Sequence, residues 1–156
     1  MEIINLQGQR NSGKTTVFNI ILEKLQSDSH FIEDSTYLSV IQHQIIKDHI
    51  AKTTTPIRQK EKREDFVARF TNLKNNSLVI YSIGDYLNDI HYIISEAHKE
   101  DVLVIALNTT FNIHTRVGIT FDTANTFYQN ITQSQNRKTY NYNQALTLYN
   151  RIKMLI

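Results

Sequence analysis

The residues whose types and spacing could do chemistry stand at the start of the chain: Gly8, Gln9, Arg10, Asn11, Ser12, Gly13, Lys14 and Thr15, followed by Thr16. They match every fixed position of the pattern Gly, four residues, Gly-Lys-Ser/Thr. A triphosphate needs many hydrogen-bond donors converging on a small volume, and glycines leave the backbone open to such an approach. Successive loop N–H groups and the positive end of a following helix would surround a β-phosphate, with Lys14 reaching toward the β- and γ-oxygens. Thr15 would place its hydroxyl on Mg²⁺. From average residue usage, a chance match of these positions in such a chain has odds on the order of one per cent or less. The plainer alternative is a Gly-containing turn capped by Ser12 before an ordinary helix.

The elements that must position this loop are legible on either side of it. Glu2-Ile3-Ile4-Asn5-Leu6 is short and apolar enough for a buried strand, and Phe18, Ile21, Leu22 and Leu25 fall on one helical face. Strand, loop and helix come in the order the motif needs. By this stretch, residues 1–26, the chain resembles the P-loop NTPase and kinase superfamily. The resemblance implies a three-layer α/β fold with a mostly parallel sheet. It also implies bound ATP and Mg²⁺, with Gly8, Gln9, Arg10, Asn11, Ser12, Gly13, Lys14, Thr15 and Thr16 as the nucleotide-binding residues. In that superfamily the segment after the first helix commonly carries a lid, a switch or a substrate-binding element, which here is residues 27–64.

At 156 residues, 40% hydrophobic and 21% charged, the chain fits a single domain over 1–156. A formal charge of +2 is too small to argue for a nucleic-acid partner, although residues 131–156 carry Arg137, Lys138, Arg151 and Lys153 and no acid. Without cysteine there are no thiolate metal sites and no disulfides. The first strand begins almost at Met1, leaving no room for a targeting segment, and no run approaches the roughly 20 apolar residues of a membrane span. These features predict a cytoplasmic protein with no membrane partner. With only four glycines in the chain, two of them at fixed positions of the loop carry added weight.

Further along, Gln26 to His30 reads as a turn, and Asp34 or Ser35 could cap a helix through residue 50 with Leu38, Ile41 and Ile45 inside. Residues 51–64 read as a mobile loop holding Lys52, Arg58, Lys60, Lys62 and Arg63. One of these cations could close over phosphate as a charge-neutralising finger, although a solvated loop of mixed charge is the simpler reading. Residues 65–71 alternate, with Phe66, Ala68 and Phe70 on one side, and 78–83 are almost continuously apolar. Joined by the turn Leu73–Ser77, they are expected to pair antiparallel.

The second of these strands runs into Ile83-Gly84-Asp85. In the superfamily an acid at the carboxyl end of a core strand binds Mg²⁺ or positions the nucleophile. The resemblance therefore makes Lys14 and Asp85 the catalytic candidates, and Thr15 and Asp85 the metal ligands. Asp85 also stands where an N-cap would begin a helix carrying Leu87, Ile90, Ile94 and Ala97. Residues 102–107 read as the central buried strand, followed at the ligand-bearing edge by Asn108, Thr109 and Thr110. Residues 111–118, with His114 and Arg116, form a second candidate lid. Thr120 is expected to cap a helix bearing Phe121, Ala124, Tyr128 and Ile131, and Ala145, Leu148 or Tyr149, Ile152 and Leu155 to define a closing helix. The six histidines show no HExxH spacing.

Small GTPases share this order of elements, but their Asp-x-x-Gly is replaced here by Tyr81-Ser82-Ile83-Gly84. Their guanine-reading Asn-Lys-x-Asp is replaced by Asn108-Thr109-Thr110-Phe111. ATP is therefore favoured over GTP. The sequence-level expectation is Mg²⁺-dependent ATP binding with hydrolysis, or transfer of the γ-phosphoryl group to an unidentified acceptor. In the kinase case Asp85 could act as base toward an acceptor hydroxyl. A nucleotide-gated module that recruits a protein partner is the main alternative, and a phosphate-binding module acting on nucleic acid has only the basic tail behind it.

Overall fold

A computed structural model of the chain describes residues 1–9, 12–37, 65–83, 87–109, 118–130 and 136–156. Arg10, Asn11, Asp85, Thr110, His114, Arg116 and Ile131 lie outside the described residues, as do most of the helix expected over 35–50 and nearly all of the cationic loop at 51–64. Strand β1 is Glu2–Gly8, helix α1 Lys14–Ser27, β2 Phe31–Glu33, β3 Val67–Asn72 and β4 Ser77–Tyr81. Helix α2 is Leu87–Glu96, β5 Val102–Asn108, β6 Thr126–Tyr128 and α3 Arg137–Leu155.

Among the described residues six strands form one mixed sheet in the order β2-β3-β4-β5-β1-β6. β1 pairs parallel with β5, Ile4 opposite Val104, and parallel with β6, Leu6 opposite Phe127. β4 pairs parallel with β5. Among these described strands β3 alone runs against its neighbours, pairing antiparallel with β4, as the short turn between them predicts, and with β2. Every residue of β5 is buried, which explains its unbroken apolar run: it lies inside the sheet with both faces covered.

Strand alternation divides the core in two. Ile4, Leu6, Leu78, Ile80, Val104 and Ala106 pack with Val17, Phe18, Ile21 and Leu25 of α1 and with Ala145, Leu148 and Ile152 of α3. Val79, Tyr81, Leu103, Ile105 and Leu107 face the other way, against Ile90 and Ile93 of α2. Helices thus cover both faces, and α1 is held by a fully buried stripe that fixes where its first turn points. No helix among the described residues is long and apolar enough to cross a membrane.

The helix expected from Thr120 does not form. Asp122 caps a single 3-10 turn, its carboxylate accepting from the Ala124 N–H at 2.9 Å, and Thr126–Tyr128 then pair with Asn5–Gln7. The helical spacing of Phe121, Ala124 and Tyr128 loses to a β-branched and aromatic triplet that satisfies the outer edge of β1. Asn5 secures the turn, its side-chain amide donating to Thr126 Oγ1 at 3.0 Å. The closing helix forms as expected but begins earlier, at Arg137, where Asn136 Oδ1 accepts from the Thr139 N–H. Strand β2 falls just after the stretch read as a turn.

Asp28, at the end of α1, ties that helix to α3 by accepting the Tyr149 hydroxyl proton; it also accepts from His30 through the backbone N–H and Nδ1. These bonds, Tyr149's first, hold the Asp28 carboxyl at about 2, below its ordinary 3.8. Burial, reinforced by Asp28, pushes the Tyr149 phenol up to about 12. A depressed carboxyl stabilises the fold above its unfolded value and loses that contribution as pH falls; a raised phenol loses its contribution as pH rises. The stability difference between wild type and Tyr149→Phe is therefore expected to be constant between pH 4 and 10, shrinking below 3.8 toward 2 and above 10 toward 12. Denaturant titrations across pH check this, and a difference independent of pH would contradict it.

Candidate functional site

The loop leaves β1 at Gly8 and enters α1 at Lys14. Its turn is closed by the Ser12 N–H, which donates to the Gln9 carbonyl at 3.1 Å. Gly13 is the N-cap of α1 at φ 100°, in the left-handed region, and no side chain caps the helix. The capped-turn alternative is thus not what forms: Ser12 Oγ is buried with no hydrogen-bond partner. The first backbone bond back to the cap is Val17 N–H to the Gly13 carbonyl at 3.0 Å. The amides of the preceding turn therefore point out of the helix start, and no acid in the first turn offsets its positive end.

Lys14 folds across the loop, its ammonium donating to the Gly8 carbonyl at 2.7 Å and the Gln9 carbonyl at 2.8 Å, with the residue 7% exposed. The cation is thereby placed within the curve of the loop. Thr16 Oγ1, one turn into the helix, is buried and without a hydrogen-bond partner. The structure therefore brings together Gly8, Gln9, Ser12, Gly13, Lys14, Thr15 and Thr16. It also sets Asn108 and Thr109 beside them: Asn108 is opposite Gly8 across the β1–β5 ladder, and the Thr109 N–H donates to the Gly8 carbonyl at 3.2 Å.

Two residues that sequence reasoning missed support the loop from behind. Gln129, 2% exposed, follows β6 and donates its backbone N–H to the Gln7 carbonyl at 2.7 Å. Its side-chain amide donates to Asn141 Oδ1 at 2.6 Å and to the Ser12 carbonyl at 3.2 Å. A Cβ on Gly8 would lie 2.6 Å from Ser12 Oγ and 2.9 Å from Gln129 Cβ, and one on Gly13 would lie 2.8 Å from Asn141 Oδ1. Nothing in the local pattern marks Gln129 or Asn141, because their role exists only once β6 and α3 close on the loop.

A carboxylate also reaches the loop, from a place the sequence did not suggest. Asp65 precedes β3, and its Oδ1 accepts the Thr15 hydroxyl proton at 3.1 Å and that of Ser82 at 3.2 Å. Ser82 in turn accepts the Phe66 N–H at 2.7 Å and donates its own N–H to the Phe66 carbonyl at 3.1 Å. Because β3 runs antiparallel, its amino end shares an edge with the carboxyl ends of its parallel neighbours. An acid before an antiparallel strand thus reaches the same edge as acids after parallel ones. Asp85, three residues beyond Ser82, lies outside the described residues.

A separate groove of about 640 Å³ runs between the later half of α1 and α3, lined by Lys24, Asp28, His30, Tyr142 and Tyr149 among others, and shares no residue with the loop. Among the described residues no cluster of His, Cys, Asp and Glu is arranged to hold a metal by itself. Compared with models of known protein families, with characterised proteins and with solved structures, the chain gives no match.

The crowding makes a quantitative prediction. Gly118 also has positive φ, 66°, but a Cβ there meets nothing within 4 Å among the described residues. Gly118→Ala is expected to cost only the left-handed penalty of about 1–2 kcal/mol. Gly13→Ala adds the clash with Asn141 and should cost measurably more. Equal losses in chemical denaturation would contradict the packing described for the loop.

Proposed function

We propose that this is a Mg²⁺-dependent, ATP-binding protein of the P-loop NTPase type, hydrolysing ATP or passing its γ-phosphoryl group to an acceptor. The observation that carries the reading is the uncapped positive start of α1, entered through Gly13 and spanned by the Lys14 ammonium, in the motif order Gly8 to Thr15. The residues fit a phosphate group. Gly8 and Gly13 stand where side chains have no room, and the hydroxyls of Ser12 and Thr16 are buried beside the loop without partners.

In this reading the amides from Gly13 to Thr16 and the Lys14 ammonium bind phosphate oxygens, and the Thr15 hydroxyl faces the cation. Bound Mg²⁺ would supply neutralisation of the charge on the transferring phosphate. Lys14 does the same from the protein side, as a point charge that donates hydrogen bonds. Asn108 and Thr109, beside Gly8 at the carboxyl end of β5, would line the same edge as the phosphates. ATP is favoured over GTP because the guanine-reading pattern is missing after β5. In this reading the protein works in the cytoplasm, where ATP and Mg²⁺ are abundant.

One observation favours the second reading, a nucleotide-gated interaction module with little turnover. Gln129 and Asn141 join the loop directly to α3, so a change in the loop bears on a helix with a long exposed side. Turnover stimulated by a phosphoryl acceptor distinguishes the kinase from this module, which instead gains a partner or an oligomer with nucleotide.

The test is a thermal melt with ATP, GTP, ADP and AMP, with and without Mg²⁺. A ligand at 100 times its dissociation constant stabilises by about 2.7 kcal/mol, readily seen as a raised midpoint. The expected result is a Mg²⁺-dependent shift with ATP. Lys14→Ala removes charged hydrogen bonds worth about 1.5–3 kcal/mol each, so affinity should fall by roughly tenfold or more while the variant stays folded. Unchanged affinity in folded Lys14→Ala protein would refute the assignment.

A further inference from the structure

We infer that Asp65, supplied by the antiparallel strand β3 and steadied by Ser82, is the protein carboxylate that faces the divalent cation at the loop. The inference rests on the nucleotide-binding reading above and assigns within it a role that the sequence pattern gave to Asp85.

The Phe66 N–H can only donate, and it donates to Ser82 Oγ at 2.7 Å. Ser82 thus turns its own proton to Asp65 Oδ1, and Thr15 turns its proton to the same oxygen. With that proton committed to Asp65, the lone pairs of Thr15 Oγ1 are directed away from the carboxylate. A hydroxyl ligates a cation through those lone pairs. Asp65 therefore orients the ligand atom of Thr15 and adds negative charge beside it.

Position is enforced as well as direction. The Ser82 N–H donates to the Phe66 carbonyl while Ser82 Oγ accepts from the Phe66 N–H, which extends the β3–β4 pairing by one step and fixes the backbone next to Asp65. The ladder below it is regular, with Val67 opposite Tyr81 and Ala68 opposite Ile80. Val17 and Phe18, immediately after the loop threonines, are fully buried, so the helix end of the contact is equally constrained. A hydroxyl and a carboxylate together with phosphate oxygens make an all-oxygen set, which suits Mg²⁺ and, as a probe, Mn²⁺.

The experiment reads cation binding and needs no turnover. Mn²⁺ is titrated into the full chain with the imido analogue of ATP, and the free ion is followed by electron paramagnetic resonance. Wild type is expected to take up one Mn²⁺ in the presence of the nucleotide analogue. Asp65→Asn, nearly isosteric and still able to accept both hydroxyl protons, should keep the fold and weaken Mn²⁺ binding by about tenfold or more. Its affinity for the analogue in excess chelator should be retained. Asp65→Glu should recover part of the loss, and Ser82→Ala should show a smaller loss of the same kind, which serves as the deciding variant if Asp65→Asn fails to fold. Wild-type Mn²⁺ affinity in folded Asp65→Asn, or a loss confined to Asp85→Asn, would overturn the inference while leaving nucleotide binding intact. Failure of wild type to bind the analogue at all would overturn the nucleotide-binding reading itself.

Discussion

Backbone crowding at the junction of β1 and α1 is the constraint on which the rest of the structure depends. The chain must pass from a buried strand into a helix while the first amides of that helix stay turned outward. It does so through Gly13 at φ 100° and through Gly8, where even a Cβ would meet Ser12 and Gln129. Such a turn is stable only if its surroundings are fixed. β5 and β6 grip the two edges of β1, and Gln129 and Asn141 brace the loop. The helix is oriented from its far side by Val17, Phe18, Ile21 and Leu25, none of which is exposed. Each fully buried side chain of this size contributes roughly 1.5–3 kcal/mol, so the stripe outweighs the cost of one left-handed residue.

The sheet order carries a second consequence. β5 stands between β1 and β4, so the residues directly beside the loop are Asn108 and Thr109, and the hydroxyl of Ser82 stands one strand further out. The reversed direction of β3 then brings Asp65 to that same edge. A carboxylate reaches Thr15 from a strand that a purely parallel arrangement would have pointed the other way. The chemistry the loop can support is thus set by strand direction as much as by residue type.

The sequence made the loop legible because its geometry is local: Gly8, Gly13, Lys14 and Thr15 owe their roles to spacing along the chain. α1, β5 and α3 were legible because long amphipathic or unbroken apolar runs leave a periodic trace. The hairpin of β3 and β4 was legible from alternation and a short polar turn. Strands β2 and β6 were not, since three residues carry no period, and at Thr126–Tyr128 the pairing with β1 overrode a helical spacing. Asp65, Ser82, Gln129 and Asn141 were invisible for a different reason. Their partners lie 12 to 117 residues away along the chain, and only tertiary closure gives them a role.

If the turn from Gly8 to Thr15 binds the phosphates of a nucleotide, as proposed, backbone amide resonances report it most directly. Titration of the ¹⁵N-labelled chain with ADP and Mg²⁺ is expected to shift the amides of Ser12, Gly13, Lys14, Thr15 and Thr16 most. Smaller changes should reach Asp65, Ser82 and Gln129, while the groove between α1 and α3 stays unperturbed. Shifts centred on Lys24, His30 and Tyr149 with the loop silent, or no shifts at millimolar nucleotide, would contradict the account.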